Sequence, residues 1–326
     1  MPNVSGSVFL TYILFPIGLL LLVKGADLLV DGASSIAKRL RVPGIVIGLT
    51  IVAFGTSLPE LMVSVIAAME GNSEIAIGNV IGSNIANILL ILGIAAIIYP
   101  VTAKRNTVLK EIPFSLLAAL VTGVMANDLL LDKAPASFIG RGDGLILVAF
   151  FVIFLYYIFG VVESEPPEAS ADILLFSHAG SAARIAAGLT ALAVGGQWIV
   201  SGAVQIAQSL GVSESLIGLT VVAVGTSLPE LATSAMAAYK RRSDIAIGNV
   251  VGSNIFNVFW VLGLSAIIRP LPFQAAGNID VLVAAVASLI LFVAMYIGKR
   301  HVLERWQGGA MVAGYLGYMI FVVSRG

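Results

Sequence analysis

The chain has 326 residues, of which 59% are hydrophobic and 11% charged, with a mean hydropathy of +1.02. A soluble domain carries about 25% charge, so the composition excludes a water-soluble enzyme or binding module and makes this an integral membrane protein in contact with the lipid bilayer. The formal net charge is zero and there are no cysteines, which leaves no electrostatic case for a nucleic acid partner and removes disulfides and thiolate metal sites.

In chain order, apolar runs between charged or Pro/Gly breaks define ten spans: 8–31, 44–69, 76–98, 109–126, 145–162, 182–209, 214–239, 246–268, 279–297 and 308–323. Each is long enough to cross, or nearly cross, a hydrocarbon core of ~30 Å as a helix. They are too long and too uniformly apolar for barrel strands, which alternate over about ten residues, so the fold class is all-α. The first run lacks a basic leader and a small-residue cleavage site and continues into Lys24, Asp27 and Asp31. It reads as a retained helix. The acidic stretch ESEPPEASAD at 163–172 marks a linker, placed at 163–181 between segments 1–162 and 182–326.

An internal repeat dominates the sequence. Residues 44–100 slide onto 214–270 without a gap, at a shift of 225 − 55 = 170, with 34 identities in 57 positions. GTSLPEL recurs at 55 and 225, IAIGNV at 75 and 245, GSNI at 82 and 252, and GLT at 48 and 218. Five spans per half is an odd number, so the second copy enters the membrane from the opposite side. Ten helices as two inverted five-helix repeats, with broken second and seventh helices, is the layout expected, and such repeats characterise secondary transporters.

Lysine and arginine accumulate in cytoplasmic loops. With the N-terminus outside, the inner loops hold Lys38, Arg39, Arg41, Lys104, Arg105, Lys110, Arg184, Lys240, Arg241, Arg242, Lys299, Arg300 and Arg305, against Lys133, Arg141, Arg269 and Arg325 outside. Both termini are therefore expected outside the plasma (inner) membrane.

GTSLPE lies at the centre of the second span. Gly55 permits unusual dihedrals and Pro59 removes a backbone donor, so the helix should break there. Ser57 and Glu60 have the spacing of a capping box that restarts it. A cap alone is a poor explanation, because a carboxylate near the bilayer centre costs about 2.5–3.5 kcal/mol on the lenient insertion scale and serine suffices as a cap. Carbonyls freed by the break, near Ala53 and Ala223, are expected cation ligands. In the second motif, GNVIGSNIAN at 78–87 and GNVVGSNIFN at 248–257, Gly78/Gly82 and Gly248/Gly252 permit close helix approach. Ser83 and Asn87, like Ser253 and Asn257, share a helix face.

Together the motifs supply Glu60, Glu230, hydroxyls, amides and carbonyls: oxygen donors only. That set suits hard cations, calcium above all, which takes six to eight oxygens. Two carboxylates balance one divalent ion, two monovalent ions or two protons, a physical basis for antiport.

The paired GTSLPE and GSN motifs on five-helix halves resemble the alpha repeats of the cation/calcium antiporter superfamily, in particular prokaryotic sodium/calcium exchangers. The resemblance implies a transporter and not an enzyme, without a cofactor, moving Na+ against Ca2+ by alternating access as the first and sixth helices slide over the core. It implies as ligands Thr56, Ser57, Glu60, Ser83, Asn87, Thr226, Ser227, Glu230, Ser253 and Asn257, with Ala53 and Ala223 as carbonyl donors. Many relatives carry aspartate at the position of Asn257, so two carboxylates are expected here and potassium co-transport is disfavoured. The proton-coupled branch has an Asn-Ala type motif where this chain has Thr-Ser, which favours sodium; a Ca2+/H+ antiporter using the same site is the alternative. The oligomeric state is open, and a monomer is compatible with the sequence.

Three features are read as structural or incidental. Lys24, Asp27 and Asp31 have the spacing of an ion-paired face, and their repeat mates Val194, Gln197 and Ser201 are uncharged. His178 and His301 are expected in loops, without a second ligand to support a metal or pH-sensing role. GRGD at 140–143 matches the GxGD element of intramembrane aspartyl proteases but lacks the accompanying Tyr-Asp pair.

Overall fold

The computed structural model describes residues 4–131, 133–164, 173–209 and 223–325. Linker residues 165–172 and residues 214–222 of the seventh expected span, including the repeated GLT at 218, lie outside the described residues.

The helices are α1 Val4–Leu40, α2 Gly44–Thr56, α3 Leu58–Glu70, α4 Ser73–Ile98, α5 Thr107–Met125, α6 Arg141–Ser164, α7 His178–Ser209, α8 Ala223–Thr226, α9 Leu228–Tyr239, α10 Ser243–Ile268, α11 Gly277–Ala294 and α12 Arg305–Arg325. Among the described residues seven of these are long and apolar enough to cross a membrane, and α2 with α3 makes an eighth, bent by 48°. The protein is thus an all-helical multi-pass membrane protein. Its outward faces carry Leu20, Met62, Val124, Phe159, Leu282 and Ile320 exposed, a surface suited to lipid and not to water.

Two short antiparallel ladders depart from the purely helical expectation. Val101–Thr102 pairs with Val302–Leu303, and Ser137–Ile139 with Leu271–Phe273. Both lie in loops, where backbone groups outside the helices need partners.

The turn between α3 and α4 follows from two residues. Gly71 takes φ +86°, the left-handed conformation that ends a helix, and the Asn72 side chain caps α4 through the Ile75 N–H at 3.2 Å. The repeat mate of Gly71 is Arg241, which adopts φ 58° despite its side chain. The same turn is therefore made in both copies.

α1 packs chiefly on α7, antiparallel, through opposed small residues. A Cβ on Gly188 would stand 2.7 Å from the Gly25 carbonyl, one on Gly195 2.8 Å from that of Gly18, and one on Gly32 2.9 Å from that of Ser181. This pair shares a hydrophobic cluster with Ile47, Val52 and Ile245. The other helices close a larger core around Ile85, Leu92 and Phe259.

The close approach expected of the GxxxG motifs is realised in the second copy. A Cβ on Gly248 would lie 2.9 Å from the Ile45 carbonyl and one on Gly252 2.8 Å from Ala53 Cβ, so α2 lies directly on α10. In the first copy no described atom comes within 4 Å of such a Cβ at Gly78 or Gly82. The mate of the α2 stretch 44–52 is 214–222, outside the described residues.

The ion-pair set expected on α1 is rearranged. Asp27 and Asp31 both pair with Lys240 at 2.6 Å, beyond the end of α9, while Lys24 is exposed. Asp143 of GRGD accepts the Gly140 N–H at 2.7 Å, a local turn.

Candidate functional site

Both broken helices restart in the same way. Ser57 and Ser227 take nearly identical backbone angles, φ −85°, ψ 10° and φ −88°, ψ 8°, and Pro59 and Pro229 enter the first turns of α3 and α9. Pro59 has no N–H to offer the Gly55 carbonyl four residues back, so the helical ladder is interrupted there.

The expected capping box does not form: neither serine makes a side-chain cap bond. Each hydroxyl instead reaches the glutamate of the other copy. Ser57 Oγ donates to Glu230 Oε1 at 2.8 Å, and Ser227 Oγ lies 3.1 Å from Glu60 Oε1 and 3.2 Å from Ser83 Oγ. A buried carboxylate takes the hydroxyl donors within reach, and that bond stands in place of the local cap. The Ala53 carbonyl is not left without a protein partner, and that partner occupies one of its two lone pairs. Ala53 is fully buried, but its oxygen accepts the Ser57 N–H at 3.0 Å and lies 3.4 Å from Thr56 Oγ1. In the second copy the Ser227 N–H goes to Val224 at 3.2 Å; Ala223 begins α8.

Asparagines hold the threonines. Thr56 Oγ1 donates to Asn249 Oδ1 at 3.1 Å and Thr226 Oγ1 to Asn79 Oδ1 at 3.3 Å. Asn79 Nδ2 in turn donates to the Glu60 carbonyl (3.2 Å) and Ser64 Oγ (2.9 Å); Asn249 Nδ2 donates to the Glu230 carbonyl (3.3 Å) and Ser234 Oγ (2.9 Å). Each of these asparagine bonds has its mate 170 residues away, as a two-fold relation between self-complementary copies produces.

A third layer joins the GSN segments. Asn84 Nδ2 donates to the Asn254 carbonyl at 3.1 Å and Asn254 Nδ2 to the Asn84 carbonyl at 3.3 Å. Asn87 Nδ2 donates to Asn254 Oδ1 at 2.9 Å and Asn257 Nδ2 to Asn84 Oδ1 at 3.1 Å. Asn87 and Asn257 stand at the start of π-helical turns, Ala86–Leu92 and Asn257–Leu262, wider turns that recur at functional sites.

Glu60, Glu230, Thr56, Ser57, Ser83, Asn87, Ser227, Ser253 and Asn257 are all buried, and Thr226 is half-buried. The two carboxylates are tied crosswise, Glu230 bonded by the serine three residues before Glu60 and Glu60 by the serine three residues before Glu230. Five oxygens of the set, Glu60 Oε2, Glu230 Oε2, Asn87 Oδ1, Asn257 Oδ1 and Ser253 Oγ, are buried without a hydrogen-bond partner. Four of the five are acceptors only, two of them on carboxylates; buried acceptors without donors are costly, and a hard cation complements such oxygens. No group of three or more His, Cys, Asp or Glu side chains placed to hold a metal ion occurs among the described residues. A cavity of about 650 Å³ reaches Asn79, Ser83 and Thr226, and its walls include Gln274, Asp280 and Arg325.

The chain matches the sodium/calcium exchanger protein family over residues 10–160 and 180–324. It belongs to that family. Among relatives of this exchanger-family chain, the sodium/calcium exchanger MaX1 of Methanosarcina acetivorans is 31% identical over 342 aligned positions, covering 95% of this chain and 97% of the relative. The inner membrane protein YrbG of Escherichia coli is 36% identical over 274, covering 81% and 80%. A structure of the sodium-calcium exchanger NCX_Mj soaked with Na+ and Sr2+ superposes with a TM-score of 0.82 at 35% identity, covering 95% of this chain and 97% of that one.

The sequence argument missed Asn79, Asn249, Asn84 and Asn254. The signal was present, since all four fall inside the repeated IAIGNV and GSNI motifs, but an asparagine that holds another side chain looks the same in sequence as one that binds an ion.

Proposed function

We propose that the protein exchanges Na+ for Ca2+ by alternating access, at one midplane site built from Glu60 and Glu230 with Thr56, Ser57, Ser83, Asn87, Thr226, Ser227, Ser253 and Asn257, and with backbone oxygens of Ala53 and Ala223. The observation that carries this is the set of five buried oxygens without a hydrogen-bond partner, contributed by both copies and two of them on carboxylates. Calcium satisfies them directly and neutralises both charges; sodium ions do so in its place, so the two cargoes exclude one another. A site holding two uncompensated carboxylates is expensive to move through hydrocarbon, which suppresses return without cargo and couples the fluxes.

The ten-span layout belongs to the same proposal. α1 and the α8–α9 pair are the remaining spans, the copies 1–162 and 182–326 are inverted, and both termini lie outside the cell membrane. Reciprocal hydrogen bonding between the copies supports a two-fold axis in the membrane plane. In this orientation Gln274 and Arg325, which border the cavity that reaches Ser83 and Thr226, are on the outer side.

The test is calcium flux in proteoliposomes after a sodium jump. An imposed Na+ gradient should drive Ca2+ against its own gradient, and collapse of the proton gradient should leave the flux intact. Flux that ignores sodium and follows pH would assign the site to Ca2+/H+ exchange.

A further inference from the structure

We infer that Asn84 and Asn254, which are not among the expected ligands, are positioning residues that fix which end of the Asn87 and Asn257 amides faces the cation.

A primary amide has a donor end and an acceptor end of nearly equal shape, and its orientation is set by its partners. Here the chain of partners has a fixed starting point. The Asn254 carbonyl belongs to the backbone and only accepts, so the group 3.1 Å from it on Asn84 is Nδ2. The other end of Asn84, Oδ1, then requires a donor, and Asn257 supplies Nδ2 at 3.1 Å. Asn257 Oδ1 is thereby turned away from Asn84, and it is one of the buried oxygens without a partner. The mirrored chain runs from the Asn84 carbonyl through Asn254 Nδ2 and Oδ1 to Asn87 Nδ2, and leaves Asn87 Oδ1 in the same condition. All four side chains are at most 5% exposed, so water does not supply alternative partners. Each copy thus orients the ligand of the other.

An amide turned the other way would present an NH2 group to a cation. Orientation therefore decides whether Asn87 and Asn257 attract the ion or repel it, and groups that orient metal ligands typically change affinity by about 10–100-fold when removed.

The inference rests on the cation site proposed above. The experiment is Ca2+ binding by calorimetry to the purified full-length protein, in a cycle of Asn254→Ala and Asn87→Asp. In the native background Asn254→Ala should weaken Ca2+ binding by about 10-fold or more. In the Asn87→Asp background that loss should vanish or reverse, because a carboxylate presents oxygen from both ends and needs no orienting partner. An equal loss in both backgrounds, or no loss in the native one, would overturn the inference, since packing or general stability would act alike in both. Asn84→Ala with Asn257→Asp closes the equivalent cycle in the other copy if Asn254→Ala does not fold. Absence of Ca2+ binding by the unaltered protein would instead strike the site proposal itself.

Discussion

Glu60→Gln separates the two energies that a buried carboxylate carries. Glu60 is fully buried, with Oε1 near Ser227 Oγ at 3.1 Å and Oε2 without a partner. Without a cation, the substitution replaces a buried carboxylate that has one oxygen without a partner by a neutral amide, so the ion-free protein should become more stable. With calcium bound, it removes half of the compensating charge. Deleting one partner of a buried charge pair costs about 3–5 kcal/mol, which at about 1.4 kcal/mol per decade weakens calcium binding by about two to nearly four orders of magnitude. Thermal unfolding in detergent reads both effects: Tm in chelator should rise for Glu60→Gln, and the further rise on adding calcium, large for the native protein, should disappear. A variant destabilised in chelator, or one that keeps its calcium-dependent shift, would refute the assignment of Glu60 as a ligand held in place by the copy opposite.

Further predictions follow from particular contacts. Ser57→Ala removes a proposed cation oxygen together with the group that holds Glu230 at 2.8 Å and should reduce calcium affinity by about 10-fold or more, read by isothermal titration. Gly188→Val places a Cβ 2.7 Å from the Gly25 carbonyl and 2.8 Å from the Leu29 amide, so α1 and α7 must separate; overpacking of this kind costs about 1–3 kcal/mol or more, visible as a lowered Tm in chelator and in calcium alike. Lys240→Met leaves Asp27 and Asp31 unneutralised, and the triple change with Asp27→Asn and Asp31→Asn should recover the lost Tm; failure to recover would mean that Lys240 acts through packing. Asn257→Asp adds a third carboxylate to the site, and sodium-dependent currents on supported membranes should show about one more charge carried per cycle, as charge balance in a low-dielectric site requires.

How much of this was legible in the sequence depended on the solvent. In a chain this apolar, Glu60 and Glu230 stand out because burying them is expensive, and the repeat doubles the signal. The bend at GTSLPE followed from Gly55 and Pro59, which act on the backbone locally. What could not be read were bonds between the copies. Ser57 has the spacing of a cap to Glu60, but its hydroxyl goes to Glu230, 173 residues away. Asp27 and Asp31 have Lys24 as a neighbour in sequence, and Lys240 in space. Asn84 and Asn254 acquire their role only when the two GSN segments meet. The choice among local and distant partners is made by tertiary packing, and periodicity carries no record of it.

The most direct measurement is equilibrium Ca2+ binding to the purified protein at increasing Na+. A single site shared by both copies predicts one calcium per chain, displaced fully and competitively by sodium, with both Glu60→Gln and Glu230→Gln abolishing it. Calcium that stays bound as sodium saturates, or that is lost only with protonation, would contradict a common site for the two ions.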